Sequence, residues 1–136
     1  MAPWRIMAYY LEGDTCPIRD WYDSQDIPVQ AEFDVTLGTL AATEDWTDTK
    51  VFQELKRQHA GLGEIRFTLE ELRLRQKYVR RFRPVGIWPP IVENEFILLL
   101  GCEKERGVYI PPDPFTLALN YRQRFLDGRG RIDDYL

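Results

Sequence analysis

Histidine and cysteine are scarce in this sequence: there is one histidine, His59, and two cysteines, Cys16 and Cys102. The cysteines form no CxxC and stand 86 positions apart, which favours buried or incidental thiols over a redox pair or a metal site. A lone histidine gives equally little support to a Ser-His-Asp triad, so His59 is expected as a polar residue near a turn. Also missing is any apolar run near the roughly 20 residues that a membrane helix needs. The opening "MAPWRIMAYYLEGD" lacks the charged, apolar and small-residue succession of a signal peptide. A cytoplasmic protein that does not use a membrane is therefore expected. Repeats and low-complexity linkers are absent too, and 136 residues suit one domain spanning 1–136.

What is present is an uneven charge. The net charge is -4, yet residues 1–54 carry three bases against eleven acids, and residues 55–136 carry fifteen bases against eleven acids. Between Arg73 and Arg83 stand six basic side chains and no acid. Such asymmetry predicts one acidic and one basic surface, the latter able to engage a polyanion although the whole chain is acidic. The competing reading is a sheet edge kept solvated by arginine and lysine.

Periodicity predicts an order of strand, two or three helices, three strands and a helix. "PWRIMAYYLE" suits a strand at about 4–12, and "IRDWYDSQ" a short helix. Asp26 can cap a longer helix with Pro28 in its first turn, where Val29, Phe33, Leu37, Leu40 and Ala41 share one face and Glu32 and Asp34 point to solvent. A further short helix is expected after Thr47 or Asp48, ending near Gly61 or Gly63. "LGEIRFTL", "KYVRRFRPVGIW" and "EFILLLGC" read as strands, the last continuously apolar and so central. Asp113 and Pro114 then open a final helix that stops at Gly128, leaving "RGRIDDYL" as a polar tail. Trp4, Trp21, Trp46 and Trp88 are expected as core or interface aromatics. A single antiparallel-rich sheet with helices on one face accommodates this α+β order.

Three stretches in order, "GLGEIRF" (61–67), "FRPVG" (82–86) and "FILLLGCEKERGVYIPPDPFTLAL" (96–119), resemble the RelE/HigB-like toxin superfamily, in particular its phage-derived branch. The resemblance implies a RelE-like α+β fold: a small, mainly antiparallel sheet, N-terminal helices packed on one face and a C-terminal helix. It implies the toxin of a type II toxin-antitoxin pair, an endoribonuclease that cuts mRNA on the ribosome and is neutralised by an antitoxin of helix-turn-helix type. The implied chemistry is attack of a ribose 2′-hydroxyl on the adjacent phosphodiester, which requires cationic groups around the phosphate and proton transfer at both oxygens, with no metal and no cofactor.

Carried over by position, the resemblance makes Arg66, Arg83, Lys104 and Tyr109 the catalytic candidates. Arginine suits the task because its planar fork binds phosphate oxygens and stays charged. Arg106, the second basic residue of the "CEKER" turn, stands second to Lys104 as a counterpart of the family's basic turn and, with Arg81, is an RNA-binding candidate. Glu64 departs from the pattern, which places a base there. Side-chain alternation puts Arg83 on one face with Arg81 and Val79, and Tyr78, Arg80 and Phe82 on the other. The segment "TLEELRLRQKYVRR" exceeds a tight hairpin, and as a projecting arm it would carry Arg73, Arg75 and Lys77 to an RNA backbone. The alternative is a catalytically inactive fold of the same kind that binds protein or RNA, which the acidic net charge and Glu64 favour.

Overall fold

The computed structural model describes residues 3–136. In chain order the elements are β1 (Arg5–Tyr10), α1 (Pro17–Asp23), α2 (Ile27–Ala41), β2 (Phe52–Glu54), β3 (Leu62–Ile65), β4 (Phe67–Arg73), β5 (Gln76–Phe82), β6 (Val85–Ile87), β7 (Glu95–Leu100), β8 (Glu103–Glu105), β9 (Val108–Ile110), α3 (Pro114–Leu126) and β10 (Arg131–Asp134). The class is α+β. The strands form two sheets, one ordered β10-β1-β7-β6-β3-β2 and the other β4-β5-β8-β9. The pairings are antiparallel except for β1 beside β7, which run parallel from Arg5 opposite Glu95 to Ala8 opposite Leu98. None of the helices among the described residues is long and apolar enough to cross a membrane.

Helices cover both faces of the larger sheet, not one as the sequence suggested. Ile6 and Ala8 of β1 meet Val29, Phe33, Leu37 and Leu40 of α2, while Met7 and Tyr9 join Phe115 and Ala118 of α3 on the opposite side. This two-sided cover explains why every residue of β7 is buried and why its sequence shows no alternation. The helix starts follow expectation. Asp26 accepts a hydrogen bond from the Val29 amide at 3.4 Å, and Asp113 one from the Thr116 amide at 3.3 Å, each ahead of a proline in the first turn.

The helix expected after Thr47 is replaced by β2 between two 3₁₀ turns, Trp46–Asp48 and Arg57–His59. Its few apolar side chains cannot form a helical stripe, and Phe52 is instead buried at the sheet edge, 4.6 Å from Trp88 and 5.3 Å from Trp46 between ring centroids. Trp46 anchors the turn by donating its indole N–H to the Leu40 carbonyl at 2.8 Å. Trp4, Trp46 and Trp88 all belong to this aromatic cluster, and Trp21 packs edge-on to Phe33 at 5.5 Å, so the tryptophans serve the core.

Two expected strands are each divided. The chain leaves the larger sheet after Ile65, returns after Arg83, and leaves again after Leu100, so "LGEIRFTL" becomes β3 and β4 and "KYVRRFRPVGIW" becomes β5 and β6. Gly101 marks the third passage. A Cβ there would collide with the Trp21 indole, so only glycine lets the ring lie against the backbone.

The expected polar tail is β10, which pairs antiparallel with β1 from Met7 opposite Asp134 to Tyr10 opposite Arg131. Its charged side chains conceal an anchor: Tyr135 packs against Phe33 and Tyr22 and lies under the Arg19 guanidinium at 4.6 Å. Tyr135→Ala is expected to lower stability by roughly 1–3 kcal/mol, while Asp127→Ala, exposed beyond α3, changes it by less than about 0.5 kcal/mol. Urea denaturation of both variants checks the contrast.

Candidate functional site

The three passages between sheets lie side by side. The Arg83 amide donates to the Cys102 carbonyl at 2.8 Å, and the Ile65 amide to the Pro84 carbonyl at 2.7 Å. At the first passage the Arg66 amide donates to the Val51 carbonyl at 2.7 Å. Arg66 and Arg83 therefore stand at a seam where backbone pairing changes partner, and both are pinned by main-chain bonds.

Glu64 underlies the seam, its side chain only 1 % exposed. Its Oε1 accepts from Nε of Arg66 at 2.9 Å, lies 2.9 Å from Nη2 of the same residue, and stands 3.9 Å from Nε of Arg83. Its Oε2 accepts from the Tyr109 hydroxyl at 3.3 Å. The residue that breaks the expected basic pattern is thus a buried counter-charge shared by two guanidiniums. Arg83, 12 % exposed, spends Nη1 on the Phe82 carbonyl at 2.8 Å, and burial pulls its pKa below the ordinary arginine value against the opposing pull of Glu64. Arg83 Nη2 and Arg66 Nη1 have no partner among the described residues. Burial first, and Glu64 second, push the Tyr109 hydroxyl up to about 12, so it keeps its proton at neutral pH and donates it. Cys102 donates to the Arg83 carbonyl at 2.9 Å, and burial pushes its thiol up to about 12.

The smaller sheet sorts its side chains by sign and partner. Phe67, Leu69, Phe82 and Arg80 turn toward α2, where Arg80 reaches Glu103 at 3.0 Å, Glu71 at 3.1 Å and Asp26 at 3.6 Å. The other face is open. There Thr68 is opposite Arg81, Arg81 opposite Lys104, and Lys104 opposite Tyr109, forming one cross-strand row. Arg81 and Lys104 are like charges in directly opposed positions, a pairing that destabilises a sheet, and neither has an acidic partner among the described residues. Lys104 Nζ instead lies 5.2 Å from the Tyr109 ring centroid. The structure therefore brings Arg66, Arg83, Arg81, Lys104 and Tyr109 together.

It does not bring the arm residues to them. β4 and β5 project as a hairpin whose two turn residues, Leu74 and Arg75, take positive φ of 50° and 66°. Arg73 lies on the α2-side face, where it bonds Glu71 at 3.1 Å and covers the Tyr78 ring at 4.3 Å. Lys77 is paired with Glu70 at 3.0 Å, and Arg75 sits at the tip without an acidic partner among the described residues. Arg106 occupies the β8–β9 turn. The strip that is uniformly basic in sequence is largely balanced by acids from the neighbouring strands. The His59 ring packs 4.5 Å from that of Phe115 of α3, which in turn lies 4.8 Å from the Tyr109 ring.

Between α2 and the seam opens a cleft of about 370 Å³ lined by Glu32, Thr36, Lys50, Thr68, Arg66 and Arg83, together with Val51 and Phe67. Glu32, Thr36, Lys50 and Thr68 have no place among the sequence candidates. Alternation from Arg66 would have found Thr68. Lys50 and Glu32 carried no signal: Lys50 belongs to a segment of helix-like composition, and Glu32 falls at a helix position whose spacing predicts exposure to solvent.

No family model matches the chain, and neither the curated proteins nor the solved structures contain a match.

The Tyr109 environment is measurable. In Glu64→Gln the carboxylate charge is removed while burial remains, so the Tyr109 midpoint is expected to move from about 12 toward, without reaching, the ordinary value of 10.0. Because the folded value exceeds the unfolded one, this hydroxyl contributes stability that is complete below about pH 10 and lost as pH rises toward 12. NMR titration of isotope-labelled tyrosine in both proteins reads the shift, and an unmoved midpoint rules out the Glu64 contact.

Proposed function

We propose that this chain is a RelE/HigB-like toxin, an endoribonuclease of a type II toxin-antitoxin pair that cuts mRNA on the ribosome, acts in the cytoplasm and is held inactive by a helix-turn-helix antitoxin. The observation that carries the proposal is the unpaired Arg81–Lys104 couple on an open sheet face, continuous with the Arg66–Arg83 seam. Two like charges held opposite each other gain a partner when a phosphate backbone lies across the row, and the released counterions add to binding. At the seam, Arg66 Nη1 and Arg83 Nη2 offer donors to the non-bridging oxygens of one phosphodiester, where negative charge builds as a 2′-hydroxyl attacks. Tyr109 supports this scheme by donating its hydroxyl proton to Glu64 in a hydrogen bond, since its raised pKa unsuits it to take the 2′ proton.

A second reading, a fold of the same kind that binds RNA or protein without cutting, is favoured by one contact. Glu64 Oε1 already fills the Nε and Nη2 edge of Arg66, the edge a phosphate would take bidentately.

Induction of the wild type without an antitoxin is expected to arrest growth and to leave cyclic phosphate ends on cellular mRNA. Arg83→Lys keeps the charge but loses the fork, and Arg83→Ala loses both; cleavage is expected to fall by roughly 10²–10³ in the alanine variant and less in the lysine variant. Folding of each variant is checked by circular dichroism. Wild-type induction with normal growth and intact mRNA selects the binding reading.

Arg81→Ala and Lys104→Ala test the interface separately. Each is expected to flatten the log-log dependence of single-stranded RNA affinity on salt by about 0.7, one neutralised phosphate, whereas Arg73→Ala leaves it unchanged because Arg73 is paired on the other face. Fluorescence anisotropy across a salt series measures the slopes.

A further inference from the structure

Cleavage by a 2′-hydroxyl needs a proton acceptor, and the groups the resemblance supplies do not provide one. Tyr109 retains its proton and directs it to Glu64 in a hydrogen bond. Glu64 is buried, with Oε1 committed to Arg66 and Oε2 to Tyr109. The Cys102 thiol is likewise raised to about 12 and turned to a backbone carbonyl. The acids around the smaller sheet are engaged as well: Glu70 with Lys77, Glu71 with Arg73 and Arg80, Glu103 with Arg80, and Glu105 with Tyr78.

One carboxylate in the cleft is uncommitted. Glu32 stands in the second turn of α2, half-buried, on the wall of the cleft whose other charged groups are Lys50, Arg66 and Arg83. Thr36 bonds the Glu32 backbone carbonyl at 2.8 Å, not its side chain, and the carboxylate has no hydrogen bond or ion pair among the described residues. The cleft thus combines three cations, one free acid and the Thr68 hydroxyl. Cations for the phosphate and an acceptor for the hydroxyl proton are the complement that phosphodiester transesterification requires.

We infer that Glu32 is the general base of this site, acting on the 2′-hydroxyl of the ribose whose 3′-phosphate is held by Arg66 and Arg83; the inference rests on the proposed ribonuclease reading. In the step, a Glu32 carboxylate oxygen takes the 2′ proton and the 2′-oxygen forms a bond to phosphorus. The bond from phosphorus to the 5′-oxygen breaks, and that oxygen takes a proton from water. Glu32 then returns its proton to solvent. Atoms balance and no redox change occurs. Lys50, which also lines the cleft, adds a third positive group to the phosphate environment.

The test uses the full chain with a fluorescent single-stranded RNA, free and on ribosomes programmed with the same message, and a copy with a single 2′-deoxy position at the cleavage site. Glu32→Gln keeps shape and removes basicity. Single-turnover cleavage is expected to fall by roughly 10²–10⁴, the span of general-base catalysis, with Glu32→Asp retaining part of the rate. Affinity for the 2′-deoxy copy is expected to hold or tighten in Glu32→Gln, because a negative charge leaves a cleft that contains three positive ones. Cleavage by Glu32→Gln within about threefold of wild type, far short of that span, overturns the inference and leaves the ribonuclease reading intact. Loss of affinity in parallel with cleavage, in a variant of unchanged circular dichroism, also overturns it by making Glu32 a binding group. A wild type that cuts neither substrate ends the ribonuclease reading and this inference with it.

Discussion

The Glu64 carboxylate is the contact on which the candidate site depends. A buried charge is retained only where partners and hydrogen bonds compensate its lost hydration, and here the compensation comes from Arg66, Arg83 and Tyr109 together. Those three residues come from three separate stretches of chain, so the carboxylate ties them at the place where the strands change sheets. The same demand fixes the direction in which each guanidinium points. Nε and Nη2 of Arg66 are turned inward and Nη1 of Arg83 is held by the chain itself, which leaves the opposite ends toward the cleft.

The smaller sheet extends this order across its width. Its α2-side face contains Arg80 in a compact set of acids, where the Glu103 hydrogen bond leads the causes that raise the Arg80 pKa. Its open face contains Arg81 and Lys104 without an acidic partner among the described residues, beside the Lys77–Glu70 pair nearer the hairpin tip. An acidic chain can therefore present a cationic patch, because the pleat separates Arg81 and Lys104 from the acids gathered around Arg80. Net charge describes neither face.

The helix starts at Asp26 and Asp113, the central apolar β7 and the facing of Arg81 against Arg80 were legible in the sequence, since capping chemistry, a two-sided apolar run and period-two alternation are local signals. The strand at Phe52 was not, because a three-residue edge strand depends on a partner strand and on aromatic neighbours from distant positions. The tail at Arg131–Asp134 was hidden for a related reason: a strand at a sheet edge can carry charge at nearly every position, and Tyr135 alone betrays the contact. At the site, arginine positions emerged from resemblance and spacing. Glu32 and Lys50 did not, since their meeting is produced by the packing of α2 over the seam.

The pairing of β1 bears on how the chain acquires its structure. Its neighbours on either side are both distant in sequence: β7, about ninety positions on, and β10, near position 131. Neither edge of β1 can be closed by local contacts, so loop-closure entropy must be met before the larger sheet gains any pairing through it. The β4–β5 hairpin, by contrast, closes through a two-residue turn and can form early. Until β7 and β10 have docked, β1 stands as an unpaired apolar strand, "RIMAYY", and it is in that state that the protein is most exposed to misassociation.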